Sequence, residues 1–444
     1  MKAQNVYLLN QTRIMTISKL TVGIFFLTTS LGSFAAGGGN ATDDDLQLNT
    51  ITTAVPFMSI TPDSRAGGMG DAGTALSASA NSVYWNTSML SFSESTSEIS
   101  LSYTPWLRQL TNDIHLSYLS GYYKLNDQHT IGGSLRFFSL GEITFTDEDA
   151  NYIREDKPSE FEFTGAYAFR TSERTSVGVN GKFAYSNLTG GLPVQGVMTK
   201  PGVAGAADIS FTFFNDDAKI AGKDGVYTFA ATINNIGNKI AYSSVAESGA
   251  RDFLPMNLKI GNSFRADLDA HNSLLFSLDL QKLLVPTPPF EDYDSNGDYV
   301  MMSGRSTNVG VISGMLQSFY DAPGTVETDP VTGQYLKNAD GTYQIKSGSK
   351  FLEELSEINI GFGMEYWYNK VFAVRGGFFF EDAQKGARQY FNAGVGFKYN
   401  KFLIDISYLA ALRRQNPLAN TLRFTLGMTL GDDGAASSSD TKPE

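Results

Sequence analysis

Every second residue between 421 and 430 is large and apolar. Leu422, Phe424, Leu426, Met428 and Leu430 share one face, and Thr421, Arg423, Thr425, Gly427 and Thr429 share the other. Successive residues of a strand point to opposite sides of a sheet, so this alternation makes one wall greasy and the other wet. The same period recurs at 359–368, 372–380, 389–399 and 402–408. Units of about ten residues with aromatic ends and polar turns, repeated along most of a chain, predict a transmembrane β-barrel. The expected fold class is all-β: an antiparallel barrel of about 14 strands, roughly 96–430, with an N-terminal plug.

Composition agrees with a barrel. Among 444 residues 42% are hydrophobic, yet the mean hydropathy is only −0.17. Wet lumenal positions dilute an apolar outer wall in this way. The 44 glycines relieve crowding where strands bend, and the 31 Phe and 21 Tyr suit aromatic girdles at the two membrane surfaces.

Residues 1–35 read as a signal peptide. Lys2, Arg13 and Lys19 precede the apolar stretch LTVGIFFLTTSL at 20–31, and small residues around Ser33 and Ala35 offer a cleavage site. Export together with barrel patterning points to the outer membrane of a Gram-negative bacterium. There is no cysteine, which excludes a lipid anchor on sulfur, disulfides and thiol catalysis. The formal net charge is −12, which does not suit a nucleic-acid partner.

Residues 36–53 form a polar lead, and 54–95 is a small-residue segment without strand alternation, expected as a hatch inside the barrel with a short helix near 75–84. Strands are expected near 96–106, 114–125, 129–141, 160–170, 174–186, 204–214, 225–235, 255–265, 272–282, 356–368, 370–380, 388–399, 401–409 and 420–430. An even number places both termini in the periplasm. Phe161, Phe163, Tyr167, Phe169, Val177, Val179, Phe183, Tyr227, Phe229, Ile233, Phe276, Leu278 and Leu280 are assigned outward. Arg136, Glu162, Lys182, Asp208, Lys259, Asp279, Glu365, Arg375, Lys398, Asp405 and Arg423 are assigned to the lumen. Charges of both signs there imply ion pairs bracing the wall. Residues 431–444 read as a disordered tail.

One connection, 283–352, is far longer than an ordinary loop and is expected on the outer side. Within it, 303–320 carries helical spacing of Val309, Ile312, Met315, Leu316 and Phe319, followed by a polar hairpin turning at Asp340-Gly341. Phe290, Tyr293, Tyr299, Met301 and Met302 cluster in it as candidates for a protein-contact surface. Asp292, Asp294, Asn296 and Asp298 alternate as in the first half of a calcium loop, with Gly297 beside them. Ser303 stands where the bidentate Glu of that loop belongs, so structural calcium held here would lack that ligand. No cofactor is required by anything else in the chain.

Catalytic sets do not assemble. His115 is expected in a strand, and His129 and His271 at turns, without zinc spacing. The glycines at 67, 68 and 70 follow no buried strand, so they do not read as a phosphate loop. The chain is not expected to be an enzyme.

PDSRAGGMGDAG at 62–73, preceded by AVPF at 54–57, resembles the N-terminal signature of the PorV (LptO) family, outer-membrane barrels of the type IX secretion system. That family is related to the FadL-like transporters, in which an N-terminal hatch sits in a fourteen-strand barrel. The resemblance places Arg65, Gly67, Gly68, Gly70 and Asn86 in the hatch. Where the family has Asn-Pro-Ala, this chain has Asn86-Thr87-Ser88. The fixed angle of proline is lost, leaving Asn86 to cap or turn the chain. The resemblance implies a shuttle that binds the C-terminal domain of cargo leaving the SprA (Sov) translocon. It delivers that cargo to the PorU attachment complex, among outer-membrane lipid and lipopolysaccharide. The alternative is a FadL-like channel for hydrophobic small molecules.

Overall fold

The computed structural model describes residues 49–431, apart from 109–110, 112, 147–148, 150, 189–192, 195–196, 221, 243–250, 294–297 and 413–417. The expected signal peptide, most of the lead and the expected tail lie outside these residues.

Fourteen antiparallel strands close into a barrel. They are β1 (Ser97–Pro105), β2 (Ile114–Lys124), β3 (His129–Leu140), β4 (Ser159–Arg170), β5 (Thr175–Asn187), β6 (Gly202–Ile220) and β7 (Lys223–Gly237). They continue as β8 (Asn257–Asp267), β9 (Ser273–Leu283), β10 (Ile358–Tyr368), β11 (Phe372–Phe380), β12 (Gln389–Tyr399), β13 (Phe402–Ala411) and β14 (Thr421–Leu430). Each pairs with the next, and β1 closes the ring on β14 with Ser97 opposite Leu430. Closure leaves no unpaired sheet edge, the condition for crossing a lipid bilayer with strands.

Strand positions follow the sequence because the period of two is a local property. β6 is the exception. It runs to Ile220 rather than ending near 214, and leaves Asp216, Asp217 and Lys219 exposed at the tip of a hairpin with β7. Alternation sorts the faces as assigned: Phe163, Val179 and Phe183 are exposed outward, while Arg136, Asp279 and Arg375 are wholly buried inward. Lys398 keeps the lumenal parity of Tyr390 and Asn392 but is exposed, because it lies beside the 400–401 turn where the lumenal wall opens to solvent.

The two rims differ. Turns after β2, β4, β6, β8, β10 and β12 are short, whereas the connections after β3, β7 and β9 are long. Aromatic side chains mark both rims. Tyr103, Phe137, Phe161 and Tyr185 lie near the long-loop end, and Tyr368, Phe372, Phe397, Tyr399 and Phe402 near the other. Such girdles sit at the two membrane–water interfaces.

Residues 54–95 run among the lumenal side chains. Instead of one helix near 75–84 they form α1 (Ser64–Gly67), α2 (Ser82–Trp85) and 3-10 turns at Pro56–Ser59 and Thr87–Phe92. Small residues without a helical stripe cannot sustain a longer helix, so wall contacts set the path. That path descends the barrel. Asn49 N–H donates to the Gln384 carbonyl (3.0 Å) and Ala54 N–H to the Phe253 carbonyl (2.9 Å), both in long-end connections. Phe57 and Met58 pack with Leu116, Phe138 and Leu254 near that same rim. Phe92 stacks on Phe214 near the short-turn end (centroids 4.8 Å), just before β1 begins. The described chain therefore starts at the long-loop rim and ends, at Leu430, at the opposite one. Strand parity counts only the strands from β1 onward, and both termini of the chain lie outside the described residues.

Candidate functional site

Two regions concentrate candidate functional side chains: the contact between the lumenal segment and the wall, and the surface of the long connection.

The first begins with glycine. Gly68 lies against Gly394, and Gly70 against β10 and β11; a Cβ on Gly70 would stand 2.4 Å from the carbonyl oxygens of Phe362 and Phe378. Gly70 also has φ +66°, a conformation that costs little only without a side chain. On the wall, Cβ atoms on Gly361, Gly363 and Gly377 would stand 2.2–2.6 Å from the backbone or Cβ of residues 69–70. Two backbones thus meet because both lack side chains. Gly67 abuts the Arg423 side chain, whose Nη1 donates to the Gly67 carbonyl (3.3 Å).

Charges complete the contact. Arg65 on α1 makes a bidentate pair with Glu365 (2.8 and 3.0 Å). Glu365 also accepts from Arg375 (2.7 Å), which in turn donates to Asp405 (2.6 Å). Further round, Asp279 accepts from Thr74 N–H (2.9 Å), and Arg136 donates to the Phe57 and Met58 carbonyls (3.1 and 2.8 Å) while lying over Tyr84. Lys259 lies over Trp85 and Tyr84. Asn86, which follows α2, donates to the Thr74 carbonyl (3.0 Å) and to Thr212 Oγ1 (2.8 Å), and accepts from Ser88 Oγ (2.6 Å). Its amide thus ties two turns of the segment to β6 where proline is missing. All five residues assigned to the hatch by resemblance meet the wall or another turn of the segment.

The second region is the connection 284–357. It carries a hairpin of Phe290–Tyr293 and Tyr299–Ser303, helices α3 (Val311–Gln317) and α4 (Ser349–Ser356), and a turn at Asp340-Gly341. Tyr293, Tyr299 and Met301 are exposed, and the two tyrosines meet edge to face at 5.2 Å. Phe290 is half-buried against Tyr335 (5.9 Å). Met302 is a correction: it is buried. Adjacent hairpin residues face opposite sides, so Met301 and Met302 cannot share one surface. α3 covers only Val311–Gln317 of the expected 303–320, so Val309 and Phe319 lie outside it; it turns Gly314 and Gln317 inward and leaves Ile312 and Leu316 exposed, with Phe319 and Tyr320 exposed just beyond it.

Of the calcium candidates, Asp294 and Asn296 lie outside the described residues. Asp292 accepts from the Tyr335 hydroxyl and from Tyr293 N–H. Among the described residues no group of three or more His, Asp or Glu has a metal-holding arrangement.

The connection is fastened to the rim by groups that sequence reasoning missed. Lys282 pairs with Glu354 (3.2 Å) and Glu357 (2.5 Å); Lys385 pairs with Glu353 (2.7 Å) and Glu357 (3.0 Å). The Asn49 amide donates to Glu353 (3.0 Å) and to the Pro288 carbonyl (3.2 Å). Asp321, buried beneath, accepts from Thr287 N–H and Gln317, and burial pushes its carboxyl up to about 6. The acids at 353, 354 and 357 have the spacing of one helix face, a signal present in the sequence.

The family model described as type IX secretion system protein PorV matches residues 42–290, more than half of the chain. The chain belongs to the PorV family. It is an outer-membrane β-barrel of the type IX secretion system. No curated protein matches it. Among solved structures, it is similar to the toluene transporter TodX of Pseudomonas putida at 9% identity and a TM-score of 0.44, covering 86% of this chain and 98% of that one. It is similar to the toluene transporter TbuX of Ralstonia pickettii at 11% identity and 0.39, covering 83% and 96%. For a FadL homologue of Pseudomonas aeruginosa the values are 10%, 0.40, 86% and 99%. These likenesses concern the barrel alone.

Proposed function

We propose that this PorV-family barrel is a carrier, not a catalyst. It takes the C-terminal domain of exported cargo as it leaves the SprA translocon and presents it to the PorU attachment complex. Family membership supplies the secretion system. The observation that carries the finer reading is the surface of 284–357, where Tyr293, Tyr299, Met301, Ile312, Leu316, Phe319 and Tyr320 stand in the open on a scaffold pinned to the rim. Exposed apolar groups on an anchored scaffold suit protein recognition. A small-molecule channel needs an apolar path, and the wall facing residues 54–95 is instead laced with buried ion pairs.

The joint variant Ile312→Ser, Leu316→Ser, Phe319→Ser removes that surface without touching the rim latch. Capture of a purified cargo C-terminal domain is expected to weaken about thirtyfold, the equivalent of roughly 2 kcal/mol at a hot spot. Unchanged capture by a folded variant would refute the reading.

The carrier role requires the long-loop end to face outward. Because the chain has no cysteine, Thr50→Cys, Val331→Cys and Asp127→Cys give clean labels. An impermeant maleimide on intact cells is expected to label Thr50→Cys and Val331→Cys, and to reach Asp127→Cys only after the outer membrane is opened. Labelling of Asp127→Cys on intact cells, with Thr50→Cys and Val331→Cys reached only after the outer membrane is opened, would invert the assignment.

A further inference from the structure

Helix α4 is amphipathic the wrong way round for a helix in water. Glu353, Glu354 and Glu357 point to the barrel mouth and are held there by Lys282, Lys385, Asn49 and the amides of Ala322 and Gly324. The opposite face carries Phe351, Leu352 and Leu355, which are 67%, 66% and 48% exposed. Helical geometry places 351, 352 and 355 within about 100° of one another and across the axis from the three acids. The ion pairs fix this orientation, so the helix cannot roll to hide its apolar side.

Its position decides what covers that side. α4 ends at Ser356, and β10 begins at Ile358, opposite Lys282 at the top of β9. From there Ile360, Phe362 and Met364 follow along β10 toward the short-turn rim, on the lipid-facing wall. Leu355, at the C-terminal end of the apolar face, is three residues from Ile358, so along the chain that face leads directly into the strand that carries the hydrocarbon-facing surface. Exposed Lys346 and Lys350 lie just before and at the start of α4, cations of the kind that pair with headgroup phosphates at a membrane surface.

We infer that α4 is an interfacial helix whose Phe351, Leu352 and Leu355 lie in the outer leaflet, with lipid as the occupant. The long connection is then held at two sides: by ion pairs to the mouth and by immersion in the membrane surface. This leaves α3 and the 290–303 hairpin as the part free to face a protein. The inference rests on the barrel being in the membrane and not on the carrier reading.

The test is depth-dependent quenching on the full chain. Leu352→Cys carries a small fluorophore in nanodiscs of phosphatidylcholine and phosphatidylglycerol with bromine on the upper acyl chain. Phe362→Cys serves as the lipid-facing reference and Val331→Cys, 91% exposed, as the water-facing one. Quenching of the Leu352 label by bromolipid is expected to reach at least about half that of the Phe362 label, with little quenching by iodide. Iodide quenching equal to that of the Val331 label, without lipid quenching, overturns the inference. So does protection that appears only in native membranes, since that makes the occupant a protein. Leu355→Cys repeats the measurement if the first variant does not refold.

Discussion

Replacing Glu365 with glutamine is expected to destabilise the protein by about 3–5 kcal/mol, the usual cost of breaking a buried ion pair from one side. Glu365 is the shared acceptor of two guanidinium groups, Arg65 from the lumenal segment and Arg375 from the wall. Removing its charge leaves Arg375, wholly buried, with Asp405 as its remaining ion-pair partner. It leaves Arg65 with neutral acceptors alone, among them the Ser77 carbonyl and hydroxyl. Arg65→Met is expected to cost less, because Glu365 keeps Arg375. The order follows from how many buried charges each change orphans, and not from its distance to the lumen. Urea unfolding in lipid vesicles measures both. Arg65→Met costing as much as Glu365→Gln would mean that the pairing with Arg375 contributes little. Proteolysis of residues 54–95 in the folded state adds a second readout. Glu365→Gln loosens the segment if the latch holds it, and leaves it protected if the glycine contact alone suffices.

Those partners show where sequence reasoning reaches and where it stops. Leu422 to Leu430 announce a strand, and Arg423 announces a lumenal face, because alternation is written in neighbouring residues. Arg65 and Glu365 are 300 positions apart. Nothing local pairs them; their meeting depends on barrel closure and on the route of 54–95. That route is the least legible element, since small residues carry no period and the hydrogen bonds that fix it come largely from the wall. The start at the long-loop rim is hidden for the same reason. The surface of 284–357 is half legible: the spacing of Ile312 and Leu316 marks a helix, but which of Met301 and Met302 faces out depends on hairpin parity. FLEEL at 351–355 holds the signal for α4, obscured by the length of the connection around it.

The sharpest contrast lies between two neighbours on β11. Gly376→Ala is expected to leave stability nearly unchanged, because a methyl there meets nothing within 4 Å on the outward face. Gly377→Ala places the same methyl 2.2 Å from the Gly70 nitrogen and the Met69 carbonyl carbon. Backbone cannot swing aside as a long side chain can. The lumenal segment must therefore lift from the wall, or β11 must bow outward against its pairings with β10 and β12. Overpacking of a tight core costs typically about 1–3 kcal/mol and more where only backbone can yield, so the upper end or beyond is expected here. Lifting by even about 1 Å also lengthens the Arg65–Glu365 contact, so the two losses are coupled and the double variant Gly377→Ala, Glu365→Gln should cost less than the sum of its parts. Urea midpoints of the four proteins give that cycle. Equal midpoints for Gly376→Ala and Gly377→Ala would mean that the segment does not rest on the wall in the membrane. Strict additivity in the cycle would mean instead that glycine contact and ion pair hold the segment independently.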